Sequence, residues 1–235
     1  MKRYTPFCVL ILLAFLCQTS FAQIHAGAFL GFKSYSLNAV TTLKGAWVPN
    51  GSTTSPATDA GGTVFNFGGT AGYTSFTSGI YCLDLDLAAS FSSISFFQRG
   101  YDKTNGNGAF AAAGLSGGTT SVFAFDLMGI NRLTIPTFKL IEPYAGLGLG
   151  LNIYSTGDIT VQSQTAKGSS SMKLGMIIVY GANLHVTPLL TPYIRFSHLI
   201  PFGSETQFTD DPNLTVVVKD VPGYFGLTAG VMLSI

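Results

Sequence analysis

The sequence predicts an all-β fold, an eight-stranded antiparallel up-and-down transmembrane β-barrel. Three observations predict it: a last segment that alternates along its whole length, an N-terminal export signal, and a shortage of charge. Charged residues make up 10% of the chain, against about 25% in an ordinary soluble domain. No apolar run after the export signal approaches the length of a transmembrane helix, so we expect a membrane crossed by strands.

The last twelve residues have one apolar face and one small or polar face. The apolar residues lie two positions apart: Phe225, Leu227, Ala229, Val231, Leu233 and Ile235. Successive strand side chains point to opposite sides, so one side of this strand suits lipid. We expect it to close the barrel and to serve as the insertion strand that the barrel-assembly machinery handles.

The first 22 residues predict a Sec signal peptide. Lys2 and Arg3 precede an apolar run over residues 8–17, and Ser20-Phe21-Ala22 supplies small residues at a cleavage site. We place cleavage after Ala22, so the barrel occupies residues 23–235 as a single domain. Bulky residues before Cys17 disfavour processing as a lipoprotein.

Composition excludes several classes of function. Cleavage leaves Cys82 as the only cysteine, so no intramolecular disulfide or cysteine metal cluster is available. Without Lys2 and Arg3, ten Lys and Arg stand against eleven Asp and Glu. There is no basic stripe for nucleic acid and no acidic tail. We therefore expect no cofactor, no metal and no nucleic-acid partner, and a location in the outer membrane of a Gram-negative bacterium.

Eight segments have the composition and alternation of strands: 24–36, 63–75, 80–98, 120–134, 142–155, 173–186, 191–202 and 223–235. Their connections alternate in length. Four are long and rich in Gly, Ser, Thr, Asn and Asp: 37–62, 99–119, 156–172 and 203–222. Three are short: 76–79, 135–141 and 187–190. This alternation predicts long extracellular loops, short periplasmic turns, and both termini in the periplasm.

The distribution of side chains between the two faces favours a membrane barrel over a soluble one. In segment 80–98, Leu83, Leu85 and Leu87 alternate with Asp84 and Asp86, and the alternation slips over 92–97, which suggests a bulge. In segment 142–155, leucines alternate with glycines, and segment 173–186 has a similar pattern. Because the charged face is also the glycine face, we expect it to line a narrow lumen while the bulky face meets lipid.

Five strings resemble the porin-like family of small outer-membrane β-barrel proteins, which are related in architecture to the OmpA and OmpX barrels. They are AGAFLGF (26–32), LDLDLAASFSSISFFQRGYD (83–102), FDLMGINRLTI (125–135), IEPYAGLGLGLNIY (141–154) and YFGLTAGVMLSI (224–235). The resemblance runs from His25 to Ile235. It implies eight strands, and its motifs are architectural rather than catalytic.

Ionisable side chains collect on the lumen face near the short turns: Asp84, Asp86, Arg132, Glu142, His185 and Arg195. An eight-stranded barrel is only wide enough for side chains, and buried charges are costly unless paired. We therefore predict that these residues form an ion-pair network that plugs the lumen, with Asp126 farther from the turns. A gate or a proton-linked path is the less favoured alternative.

The predicted function is structural or interactive, through the four long loops. Expected partners are outer-membrane lipid and lipopolysaccharide, with an extracellular protein or surface ligand on the loops. A narrow channel for small or apolar solutes is the alternative. An enzyme acting on lipid A is disfavoured, because Ser197 and His198 are adjacent strand residues that point to opposite faces.

Overall fold

The computed structural model describes eleven parts of the chain: residues 23–36, 39–43, 53–57, 61–94, 115–137, 140–161, 164–187, 189–203, 206–207, 214–218 and 222–234. Among these residues no helix is long and apolar enough to cross a membrane. The predicted signal peptide and Ile235 lie outside the described residues. Cleavage after Ala22 therefore stays a prediction.

Eight long strands close into a barrel: β1 (Ile24–Ser36), β4 (Gly62–Ser78), β5 (Tyr81–Ile94), β7 (Thr120–Leu133), β8 (Ile141–Thr156), β11 (Ser170–Leu184), β12 (Leu190–Pro201) and β15 (Gly223–Ser234). Their order around the barrel is β1-β15-β12-β11-β8-β7-β5-β4, and every neighbouring pair is antiparallel. The first and last strands pair from His25 with Ser234 to Ser36 with Gly223. The predicted eight-stranded antiparallel barrel is thus confirmed.

The segments predicted as long loops contain seven further strands: β2 (Ala39–Leu43), β3 (Thr53–Ala57), β6 (Leu115–Gly117), β9 (Ile159–Val161), β10 (Gln164–Ala166), β13 (Thr206–Gln207) and β14 (Leu214–Val218). The first and last loops combine in a sheet of order β13-β14-β2-β3, and the second and third in a sheet of order β10-β9-β6. Sequence alternation does not indicate these strands, because each is short and two of the pairings join distant segments.

The two ends of the barrel differ, as the connection lengths predict. The turn end carries the connections Gly79-Ile80, 134–140 and 185–189, and the loop end carries the four long connections. Gly79 has a φ of 60°, which glycine adopts without a steric penalty. In bacterial barrels the short turns face the periplasm, so we predict that the turn end is the periplasmic end.

The expected bulge in β5 is not found where the strand is described. β5 pairs with β7 without a register shift up to Ile94 opposite Thr120, and residues 95–97 lie outside the described residues. A shift occurs instead in β4, between Thr74 and Phe76. The hydroxyl of Ser75 donates a hydrogen bond of 2.9 Å to the carbonyl oxygen of Leu83, which stabilises the irregularity.

The predicted separation of faces is confirmed by the exposure of the side chains. On β8, Leu147 and Leu149 are 60% and 50% exposed on the outside. On β5, Asp84 and Asp86 are 4% and 2% exposed and point inward. A closed barrel with apolar side chains outside and charges inside is inverted relative to a soluble barrel. Its outer surface suits hydrocarbon.

The lumen also contains an apolar core that the sequence analysis does not predict. Five side chains from three strands are at most 3% exposed inside the barrel: Met128, Ile130, Ile177, Val179 and Leu199. On β11 both faces are apolar at this height, since Ile178 points outward beside Ile177. The interior therefore has apolar side chains packed among its polar groups, since Met128 is directly opposite Asp86 and Ile130 is directly opposite Asp84.

Candidate functional site: the barrel lumen

Four of the predicted residues come together at the turn end around Arg132. The guanidinium pairs with both carboxylate oxygens of Asp84, through Nε and through Nη2 at 3.0 Å. Its Nη1 donates to Glu142 at 2.8 Å. His185 Nε2 lies 2.6 Å from the same Glu142 oxygen. We call Asp84, Arg132, Glu142 and His185 the turn-end cluster.

Two threonines complete the turn-end cluster. Arg132 Nη2 also donates to the hydroxyl of Thr74 at 3.1 Å, and the hydroxyl of Thr134 donates to Glu142 at 2.6 Å. Arg132 therefore bonds to groups on β4, β5 and β8, the strands nearest to its own β7. The cluster is held to one side of the lumen.

A second group of charges lies one layer farther in. Arg195 Nη2 donates to Asp86 at 3.0 Å, and Asp86 also contacts His25 Nε2 at 2.7 Å. The Nε of Arg195 donates to the Tyr144 hydroxyl at 3.3 Å. The guanidinium also lies 5.2 Å from the ring centre of Tyr193. We call His25, Asp86, Tyr144 and Arg195 the central cluster.

Lumen glycines make room for the central cluster. A Cβ on Gly72 would lie 2.7 Å from His25 Nε2 and against the Asp86 carboxylate. A Cβ on Gly230 would lie 2.6 Å from Cζ of Tyr193. These approaches are closer than a side chain allows. The inward-facing glycines thus leave the space that the large inward side chains occupy.

Asp126 lies apart from the other predicted residues, closer to the loop end. The hydroxyl of Tyr224 approaches its carboxylate at 3.5 Å. Lys33 donates to the hydroxyl of Ser90 at 2.9 Å and lies 4.2 Å from the ring centre of Tyr224. Tyr35 packs edge-on against Tyr224, with ring centres 5.6 Å apart. We call Lys33, Tyr35, Asp126 and Tyr224 the loop-end cluster.

The structure therefore divides the seven predicted residues among three clusters. The sequence analysis does not include His25, Lys33 or Tyr144 in the network. The sequence does indicate that His25 and Lys33 face the lumen, because they alternate in step with Gly27 and Gly31. The other face of the strand is apolar: Ala26, Ala28, Leu30 and Phe32. Tyr144 lies on the same face of β8 as the glycines, but nothing in the sequence indicates that it binds Arg195.

Two of the cavities that the described residues line are in the lumen. The vestibule, about 540 Å³ including the part open to solvent, is lined by residues of the turn-end and central clusters. A second cavity of about 330 Å³, measured in the same way, is lined by Lys33, Asn66 and Asp126 among others. Arg195 lines both, so its side chain stands where they meet.

Ser197 and His198, the one candidate pair for catalysis, are on opposite faces. Ser197 is buried in the lumen, and His198 is exposed on the outside of β12. Nucleophilic catalysis needs the base within hydrogen-bond reach of the nucleophile. This pair does not have that arrangement.

Several solved outer-membrane proteins are similar in structure. A major outer membrane protein from Thermus thermophilus matches with a TM-score of 0.57 and 15% identity, over 92% of this chain and 100% of that chain. Neisserial surface protein A (NspA) matches with a TM-score of 0.46 and 14% identity, over 89% and 96%. The N-terminal β-barrel domain of Pseudomonas aeruginosa OprF matches with 0.44 and 12%, over 91% and 97%. No protein-family model and no curated protein matches the sequence.

The first of these matches shows the fold of an outer-membrane barrel, as the resemblance in sequence implies. The strands are closed, so no backbone edge meets lipid, and the outside is apolar. Such barrels lie in the outer membrane of Gram-negative bacteria. That is the predicted location of this chain.

Proposed function

We propose that the protein is a plugged outer-membrane barrel with a structural or interactive role. The observation that carries the proposal is the filling of the lumen at successive heights. The turn-end and central clusters lie toward the turns, the loop-end cluster lies toward the loops, and buried apolar side chains pack among them. The Arg195–Asp86 pair between opposite walls, together with the packed apolar side chains, makes the barrel rigid.

The extracellular segments support an interactive role. The first loop pairs with the last through β2 and β14, and the second with the third through β6 and β9. Pairing of this kind orders backbone that a free loop would leave mobile, which lowers the entropy cost of binding. The proposed partners are lipopolysaccharide, a surface or an extracellular protein. The barrel-assembly machinery is the proposed partner during insertion.

Conductance in a planar bilayer tests the plug. The wild-type barrel is expected to show little or no single-channel current. A variant with Arg132→Ala and Arg195→Ala removes the cation of both periplasmic clusters and should raise the conductance. Lys167→Ala is the matched control, because it removes a cation from an exposed position near β10. Equal currents for wild type and the double variant would contradict the plug.

A narrow channel is the second candidate, and the cavities favour it. The vestibule and the second cavity meet at one side chain, Arg195, and Asn66 lines the second cavity with an amide that no described residue bonds. Movement of Arg195 would join the two spaces. A steady wild-type current that Arg195→Ala enlarges, and Arg132→Ala leaves unchanged, would favour the channel over the plug.

An enzymatic role has less support. The barrel wall separates the Ser197 side chain, which is buried, from that of His198, which is exposed on the outside. Incubation of outer membranes with lipid A, followed by mass spectrometry of its acyl chains, tests the point. Loss or transfer of an acyl chain that depends on this protein would overturn the non-enzymatic proposal.

A further inference from the structure

The outer surface of the barrel ends in hydroxyl groups at the loop end. Six neighbouring strands place a Ser or Thr there, facing outward: Ser34, Thr63, Ser93, Ser121, Ser155 and Ser170. Ser121 is directly opposite Ser155, and Ser155 is directly opposite Ser170. The hydroxyl of Ser170 donates to that of Ser155 at 3.2 Å. A belt of hydroxyls marks the height at which hydrocarbon gives way to polar surroundings.

Polar residues such as Ser78, Asn131 and Thr187 are also exposed at the turn end, but the described residues there form no belt of hydroxyls paired from strand to strand. Large apolar side chains continue from the strands into each turn and onto the start of β1: Ile24, Ile80, Ile135, Leu140, Val186 and Leu189. Their exposure reaches 58% at Leu140, 60% at Val186 and 66% at Leu189. We call these six residues the apolar rim. The three turns contain a single Lys or Arg in the sequence, Lys139.

The height of the apolar outer surface shows at which end of the barrel this surface extends beyond the usual apolar band. On β8 the outward apolar residues run from Ile153 to Ile141, and on β11 from Met172 to Leu184, twelve positions in each case. With a rise of about 3.3 Å per residue and a tilt of about 40°, twelve positions give about 30 Å of height. The apolar band of such barrels is about 25 Å tall. Since the hydroxyl belt fixes the upper boundary, the surplus is at the turn end.

We propose that the apolar rim is immersed in the inner leaflet of the outer membrane, where phospholipid acyl chains cover it. The rim is continuous with the lipid-facing surface of the strands above it. It also involves β1 and all three turns, so it surrounds the barrel mouth. A surrounding solvent accounts for an apolar surface on every side, whereas a docked protein would cover one side.

Immersion of the rim changes what the vestibule opens into. His185 lines the vestibule next to Val186 of the rim, and it contacts Glu142, which lies two positions from Leu140. If the rim lies in hydrocarbon, the mouth of the vestibule lies no farther out than the phospholipid headgroups. A solute entering from the periplasm then has to pass between headgroups.

Fluorescence quenching in vesicles tests the immersion. Trp47 is the only tryptophan, so a Trp47→Phe background allows a single new tryptophan to be placed at will. Leu189→Trp and Ile80→Trp probe two different turns, and Lys167→Trp is the exposed control near the loop end. Each barrel is folded into phosphatidylcholine vesicles with brominated acyl chains. Heat-dependent electrophoretic mobility establishes that each variant is folded.

Both rim tryptophans should be quenched strongly by the brominated chains. Their quenching by aqueous acrylamide should be several-fold weaker than that of Lys167→Trp. Acrylamide quenching equal to the control, without quenching by bromine, would overturn the proposal and leave the rim as a surface for a periplasmic protein. Because two turns are probed, a folding defect in one variant leaves the other to decide.

Discussion

Arg195 and Asp86 join opposite walls of the barrel. Their strands, β12 and β5, are four places apart in the closed order of eight, and the guanidinium donates to the carboxylate at 3.0 Å. Arg132 differs, because it pairs with groups on nearby strands only. A contact across the full diameter links two strands that share no ladder. The Arg195–Asp86 pair is therefore the contact of the network that should matter most for stability.

Loss of one partner in this pair should destabilise the barrel strongly. Arg195→Ala leaves the Asp86 carboxylate buried with only His25 beside it. Breaking a buried ion pair in this way costs about 3–5 kcal/mol. Urea unfolding of the refolded barrel in detergent measures the change. Arg195→Met combined with Asp86→Leu should recover part of the loss, because no unpaired charge is left.

Lys167→Ala provides the reference for charge removal without a buried partner. Its free energy of unfolding should stay within about 0.5 kcal/mol of wild type, as is usual for exposed positions. If Arg195→Ala were no more destabilising than Lys167→Ala, the Arg195–Asp86 pair would have no energetic role.

The space beside Gly72 should be equally sensitive. Gly72→Val places a Cβ against the Asp86 carboxylate, the His25 ring and the carbonyl oxygen of Leu85. Overpacking of this kind costs about 1–3 kcal/mol, and separation of the buried pair adds to it. The midpoint of urea unfolding should fall. Gly129→Val is the control, since a Cβ there meets nothing nearer than the Leu147 carbonyl oxygen at 3.9 Å. An equal fall in the unfolding midpoint for both variants would count against a role for His25 and Asp86.

The fold could be predicted from sequence because one strong pattern repeats. Each barrel strand has one face that must suit lipid, so strands such as β8, with its alternating leucines and glycines, are visible without tertiary information. The charges near the turns were visible for a related reason. Asp84 and Arg132 interrupt otherwise apolar or small surroundings, and buried charges need partners.

The remaining features depend on contacts that no local pattern encodes. His25 belongs to the network only because β1 lies two places from β5 in the closed sheet. Ile177 and Val179 are apolar on a lumen face that the sequence pattern predicts to be polar, since both side chains are buried against others inside the barrel. The pairing of β2 with β14 joins opposite ends of the chain and leaves no signal in either segment.

The start of the mature chain is a separate prediction. Signal peptidase should cleave after Ala22, so that the mature protein begins at Gln23 and retains Cys82 alone. Intact-mass measurement and N-terminal sequencing of the protein from outer membranes check this. A mass that corresponds to a lipid-modified chain starting at Cys17 would show that the protein is processed as a lipoprotein instead.

Two adjacent isoleucines on β11 should distinguish a packed lumen from an open one. Ile177 is 1% exposed inside the barrel, and Ile178 points outward to lipid. Each Ile→Ala change loses the transfer free energy of the deleted groups, about 0.8 kcal/mol per methylene. Only Ile177→Ala also leaves a cavity, because lipid chains can fill the space beside residue 178. The total cost at position 177 should therefore lie in the range of about 2–5 kcal/mol and exceed that at 178 in urea unfolding. Equal costs would mean that the lumen at this height is loosely filled, and the plug would then depend on the charged clusters alone.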